Sequence, residues 1–302
     1  MTTRELTAAP DERAGVLLVL LAGVIWSTVG LGIRLIEEAT VWQILFYRSF
    51  GLALLLYIVI RLRTGRSAFT MIARLGWPGL IGACALMGAY TGGIIALQTT
   101  TVANVMLIFA SAPFMAAILG MLILGEAVRW QTWLSIAVAL IGIGVMMGGK
   151  FGEGAFWGNL AALGAAFGFA VFTITLRWGR SGDMLPCVFL SGLLAIPVMG
   201  GICLVLGLPF VLNANDAGIS LGMGLFQVGA GLVLYTIGSK SVPAAQLTLL
   251  SMSEVVLAPV WVWLVLNEVP AAQTLLGGAV LLGAVMFNAL SGARRRWPTP
   301  HT

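Results

Sequence analysis

The sequence predicts an all-α integral membrane protein of ten transmembrane helices, arranged as two inverted-topology repeats of five. Three observations predict it. Of 302 residues, 60% are hydrophobic and only 9% charged, against roughly 25% charged in an ordinary soluble domain. Sixteen Lys and Arg with eleven Asp and Glu are too few to clothe a water-exposed globule of this size, and the mean hydropathy of +1.03 agrees. Apolar runs of about 20 residues, the length a bilayer demands, recur from end to end. Finally, the second half of the chain repeats the first at a shift of 142 residues.

Polar residues precede the first run, Ala14 to Ile33, which has no small-residue cleavage site and reads as a retained span instead of a signal peptide. The runs Val41 to Ile60, Trp77 to Leu97, Val102 to Leu124 and Trp130 to Met147 complete the first half. Ala155 to Leu176, Met184 to Leu206, Ala217 to Gly238, Ala244 to Leu266 and Ala271 to Leu290 form the second. Continuous runs, not short alternating ones, exclude a β-barrel and leave helices as the structure that satisfies the backbone in lipid. Short connections make neighbours antiparallel. The organisation is a tail over 1–13, repeats over 14–150 and 151–291, and a basic tail over 292–302.

The basic residues fall between runs and never form a stripe, so the net charge of +5 reflects topology and not nucleic-acid binding. With the N-terminus inside, Arg4, Arg13, Arg61, Arg63, Arg66, Arg74, Arg129, Arg177, Arg180, Lys240 and Arg294 to Arg296 face the cytoplasm. Only Arg34 and Lys150 face outward, and Arg48 lies within the second span. The positive-inside rule therefore favours both termini in the cytoplasm. Cys84, Cys187 and Cys203 sit in apolar stretches without disulfide or metal spacing.

At the shift of 142, Gly125-Glu126 falls on Asn267-Glu268 and Gln131 on Gln273, each Glu closing a long apolar run. A shift of 143 pairs Trp26 with Phe169, Arg34 with Arg177 and Phe46 with Phe189. Five helices per copy send the second copy into the membrane from the opposite side, the inverted repeat of secondary transporters. Trp26-Ser27, Phe46-Tyr47-Arg48 and the two Glu-bearing helix ends followed by Gln131 and Gln273 resemble the EamA repeat of the drug/metabolite transporter superfamily. The likeness covers residues 14–290. It implies ten helices, cytoplasmic termini and export of amino acids or related metabolites, the aromatic amino-acid exporters being the branch of nearest general likeness. Ser191 stands where a second Arg48 is expected, so the halves are not equivalent.

Enzymatic chemistry is poorly provided for, because His301 in the tail is the only histidine and neither a Cys/His cluster nor a phosphate-cradling loop is present. No cofactor or metal is expected. Glu254 is the one carboxylate deep in a span, about 15 Å from its end, where charge is costly and usually lines a cavity. It reads either as an ammonium contact or proton carrier, which would give proton coupling, or as a hydrogen-bonded structural Glu. Arg48, about 10 Å into its span, suits a carboxylate through its planar fork or snorkels to the headgroups. Glu126 and Glu268 oppose the macrodipole at helix C-termini and therefore pair with backbone or basic groups, as gates more than as substrate contacts. Pro113 and Pro259 interrupt repeat-equivalent spans, a pointer to a transport site or a simple curvature.

One face of the fourth span carries Asn104 and Ser111, and one face of the ninth carries Gln246, Ser253 and Glu254. Trp26, Tyr90, Phe109, Phe169 and Tyr235 lie too deep for an interfacial belt, and Gln227 shares a face with Tyr235. Together they make an apolar cavity with a few polar groups, the composition of an organic-ligand site. Gly88/Gly92, Gly144/Gly148, Gly164/Gly168 and Gly218/Gly222 read as helix contacts. The expected activity is transport of a small organic solute by rocking one repeat against the other. The alternative is a membrane-embedded binder or enzyme that transports nothing.

Overall fold

The structure, a computed structural model, describes residues 12–147, 153–179, 184–239, 241–242 and 244–293. Arg4, Lys150, Arg180, Lys240, Arg294 to Arg296 and His301 lie outside them. The first repeat runs α1 (Glu12–Ser27), α2 (Val29–Arg34), α3 (Val41–Thr64), α4 (Ala68–Ile72), α5 (Gly76–Thr99), α6 (Val102–Phe109), α7 (Ala112–Leu124) and α8 (Trp130–Met147). The second runs α9 (Glu153–Trp178), α10 (Leu185–Val205), α11 (Ala214–Gly222), a π-helix (Met223–Ala230), α12 (Gly231–Gly238), α13 (Ala244–Leu266) and α14 (Ala272–Ala293). Eight helices among the described residues are long and apolar enough to cross a membrane, and shorter apolar stretches in α8 and α13 supply the other two of the ten spans.

Among the described residues, three spans are interrupted. The first breaks at Thr28, where the Ser27 and Thr28 hydroxyls donate back to the carbonyls of Val24 and Ile25, at 2.6 and 2.7 Å, competing with the helical ladder. The fourth breaks between α6 and α7 at Ala110-Ser111, with Pro113 in the first turn of α7, where its missing N–H deprives the helix of nothing. Its counterpart Pro259 lies inside the unbroken α13, so the two prolines act differently. The eighth contains the π-helix, whereas α5, its repeat equivalent, is regular.

The helix ends carry the repeat more faithfully than the interiors. Gly125 and Asn267 both adopt left-handed conformations, φ 67° and 55°, and Asn267 is the one non-glycine residue described with positive φ. Asn tolerates that region better than most side chains. In each copy the following Glu N–H turns back to the carbonyl six residues earlier, Gly120 or Val262, at 3.2 and 3.3 Å. Gly65 and Gly207, at φ 68° and 66°, end the second and seventh spans alike, again 142 residues apart.

Nearly all major helix packing crosses between the repeats: α5 on α9, α8 on α14, α3 on α10, and α1 on α12 and α13. Gly142 and Gly277 make the α8–α14 crossing close, since a Cβ on Gly142 would sit 2.7 Å from the Gly277 carbonyl oxygen. At the α5–α9 crossing, Gly92 meets Ala161 and Gly168 meets Ala85, while Gly88, Gly144, Gly164, Gly218 and Gly222 face open space. Only part of the small-residue pattern therefore makes helix contacts. Because the repeats interdigitate, neither five-helix copy forms a separate bundle.

Candidate functional site

Thr40 starts α3 with its N–H donating to Gln43 Oε1 at 3.0 Å, and Gln43 donates to the Pro209 carbonyl at 2.7 Å, fixing the helix against the second repeat. This brings Arg48 two turns down, where it is 6% exposed. Its guanidinium carbon lies 4.5 Å from the Tyr90 ring centroid, a cation–π distance. A cavity of about 10 Å³ beside it is lined by Leu45, Ser49, Met87, Tyr90 and Ser191 among others, about the least volume that holds one water. Among the described residues Arg48 has no carboxylate partner and donates no hydrogen bond. Ring attraction offsets only part of the cost of burying a guanidinium, so the site has an unmet demand for an anion.

Facing it from the second repeat, the π-helix approaches α3 so closely that a Cβ on Gly224 would collide with the Arg48 carbonyl. π-Helical geometry is rare and recurs at functional sites. Here it carries Gln227, whose Nε2 donates to the Trp26 carbonyl at 3.1 Å and whose buried Oε1 has no donor among the described residues. The Trp26 indole lies against Gly231, where no side chain would fit, and its ring is 5.4 Å from Tyr235. The structure thus joins Trp26, Gln227 and Tyr235. It sets Phe169 apart with Phe109, at 5.5 Å, on a partly exposed surface. The aromatic residues form separate groups, not one continuous wall.

Asn104 is engaged elsewhere. Its Oδ1 accepts from Thr274 Oγ1 at 2.6 Å and its Nδ2 reaches Thr100 Oγ1 and Asn159 Oδ1, both at 3.4 Å, in a buried knot of four helix elements. Replacing Asn104 and Thr274 singly and together by Ala and Val should reveal a coupling of about 0.6 kcal/mol and no more than about 1.7. Thermal unfolding in detergent measures it. Ser111 and Ser253 donate to the carbonyls one turn back, Ile108 and Leu250, and Ser253 lies against Gly23 of α1. The side chain of Gln246 lies outside the described residues. Glu254, half-buried on α13, has no hydrogen-bond or ion-pair partner among the described residues.

Glu126 and Glu268 do pair with basic groups. Arg34 Nε meets Glu268 Oε2 at 2.8 Å, and Arg177 meets Glu126. Arg34 also donates to the carbonyls of Leu97 and Thr100 at 2.7 and 2.8 Å, and Glu268 Oε1 accepts from the Val102 N–H at 2.9 Å.

Residues 13–148 and 156–290 each match the EamA-like transporter family. The chain belongs to that family. The two EamA matches coincide with the two halves whose helix ends are paired. The pseudopaline exporter CntI of Pseudomonas aeruginosa is 25% identical over 299 residues, covering 94% of this chain and 98% of its own. An uncharacterized transporter of Vibrio cholerae is 27% identical over 140 residues, and the chain spans only 46% of its length. A solved crystal structure superposes with a TM-score of 0.63 at 21% identity, over 94% of this chain and 99% of its own, a likeness of fold. Within this EamA frame, Arg34 and Arg177 enter the sequence only through the repeat and the charge count; their pairing with Glu268 and Glu126 is visible in the structure alone.

Proposed function

We propose that the chain exports small amino-acid-like solutes across the bacterial inner membrane by alternating access. One observation carries this: Arg48 and Glu254 are opposite charges within spans, neither with an ion-pair or hydrogen-bond partner among the described residues. Intramembrane ions persist where a substrate or coupling ion meets them: a carboxylate-bearing solute supplies the counter-charge of Arg48, and a proton that of Glu254. Arg48 takes the carboxylate over Tyr90. Glu254 is the acid through which a proton gradient acts. Similarity to an exporter along nearly the whole of both chains supports the direction of transport. Arg61, Arg63, Arg66, Arg74, Arg129 and Arg177 lie at the face opposite Arg34, which supports cytoplasmic termini.

Proteoliposomes loaded with labelled neutral amino acids, aromatic ones included, are expected to show saturable flux that sugars and nucleotide-sugars do not compete away. Glu254→Gln should abolish the response of that flux to an imposed pH gradient. Binding without flux, or flux of a nucleotide-sugar alone, would reject the reading.

A further inference from the structure

The two membrane-face ion pairs are images of each other under the internal repeat. Arg34 ends the first span and reaches Glu268 at the end of the ninth; Arg177 ends the sixth and reaches Glu126 at the end of the fourth. Each joins one repeat to the other. Because successive spans alternate in direction, the pairs stand at opposite faces of the membrane. They are also unequal. Arg34 and Glu268 are 26% and 21% exposed and held by three further backbone hydrogen bonds, whereas Arg177 and Glu126 are 51% and 41% exposed.

We propose that these pairs are opposing latches: Arg34–Glu268 holds the solute pathway shut at one face, Arg177–Glu126 at the other, and each parts when its face opens. Several features support a latch over a simple brace. Glu268 ties the end of α13 to the start of α6 and, through Arg34, to the ends of α2 and α5, so these helix ends separate only if it lets go. Glu126 follows the left-handed Gly125, which turns its carboxylate back toward α9 at the other face. Two stable braces would hold both faces closed and permit no passage. With alternation required, breaking one latch biases the protein toward opening at that face. The inequality of the pairs favours the state closed at the Arg34 face.

The proposal rests on the transport reading, so the test reads accessibility and not flux. Cys84, Cys187 and Cys203 are replaced by Ala, and Ser191→Cys beside Arg48 serves as the reporter for an impermeant thiol reagent. Labelling is timed in spheroplasts and in inverted membrane vesicles. Glu268→Gln is expected to speed labelling from the Arg34 face and slow it from the other. Glu126→Gln should do the reverse, by about fivefold, the population change that an exposed ion pair of ordinary strength supports. The exchanged pair Glu126→Arg with Arg177→Glu should restore the parent rates, since charge and not shape is the latch. Changes of the same sign in both Gln variants, or none, with flux present in the unmodified protein would overturn the latches alone. Absent flux in the unmodified protein would instead strike the transport reading.

Discussion

Replacing Arg48 by Met is expected to lower the flux of carboxylate-bearing solutes about 100-fold, within the range of about 2 to 5 kcal/mol that truncating one partner of a buried charge pair removes. Heat stability in detergent should not fall with it. A buried guanidinium without an acid partner is a burden on the folded state, and an unbranched side chain of similar length fills the space between Leu45, Met87 and Tyr90. Loss of flux with retained or raised melting temperature is therefore the signature of a binding group. Arg48→Lys should recover only part of the rate, because a point charge lacks the fork that grips both carboxylate oxygens. Parent-level flux in the Met variant would remove Arg48 from the site.

Asp216→Ala should do the opposite, damaging the fold more than the binding. The Asp216 carboxylate is fully buried at the start of α11. It accepts from the backbone N–H groups of Glu37, Glu38 and Ala39 at 2.8 to 2.9 Å and from Asn215 Nδ2 at 3.3 Å. Those three donors belong to the loop between the first two spans. Without the carboxylate they are left unpaired, a loss of about 3 to 5 kcal/mol by the usual weight of charge-assisted hydrogen bonds. A melting curve in detergent reads this directly. Asp216→Asn, which keeps one acceptor oxygen, should recover part of the stability, and a melting temperature unchanged in both variants would deny the clamp its role.

The spans and their pairing into two copies were legible because the bilayer fixes a minimum apolar length and because helix ends repeat. Gly125-Glu126 and Asn267-Glu268 carried that signal, and the left-handed φ at Gly125 and Asn267 is its physical content. That the two Glu residues pair with backbone or basic groups was legible from their place at helix C-termini; which arginine each meets was not, since the partners lie 51 and 234 residues away in the chain. Asn104 misled for the same reason. A polar group on an apolar helix suggests a cavity wall, but its strongest bond is to Thr274, 170 residues on. The π-helix was not legible either, since the close approach of Gly224 to the Arg48 carbonyl joins residues 176 positions apart. Arg48 was the exception, because an embedded charge announces an unusual environment from sequence alone.

The interdigitation of the repeats has a consequence in time. Chains are made from the N-terminus, so α1 to α8 enter the bilayer before α9 to α14, against which they chiefly pack, exist. Gly92 waits for Ala161, and Gly142 for Gly277. Lipid must stand in for half of the protein's interior during synthesis, and these early helices stay upright on their own hydrophobic length alone. The guanidinium of Arg48 then has the Tyr90 ring, from its own half of the chain, to offset its burial, and nothing yet from the second.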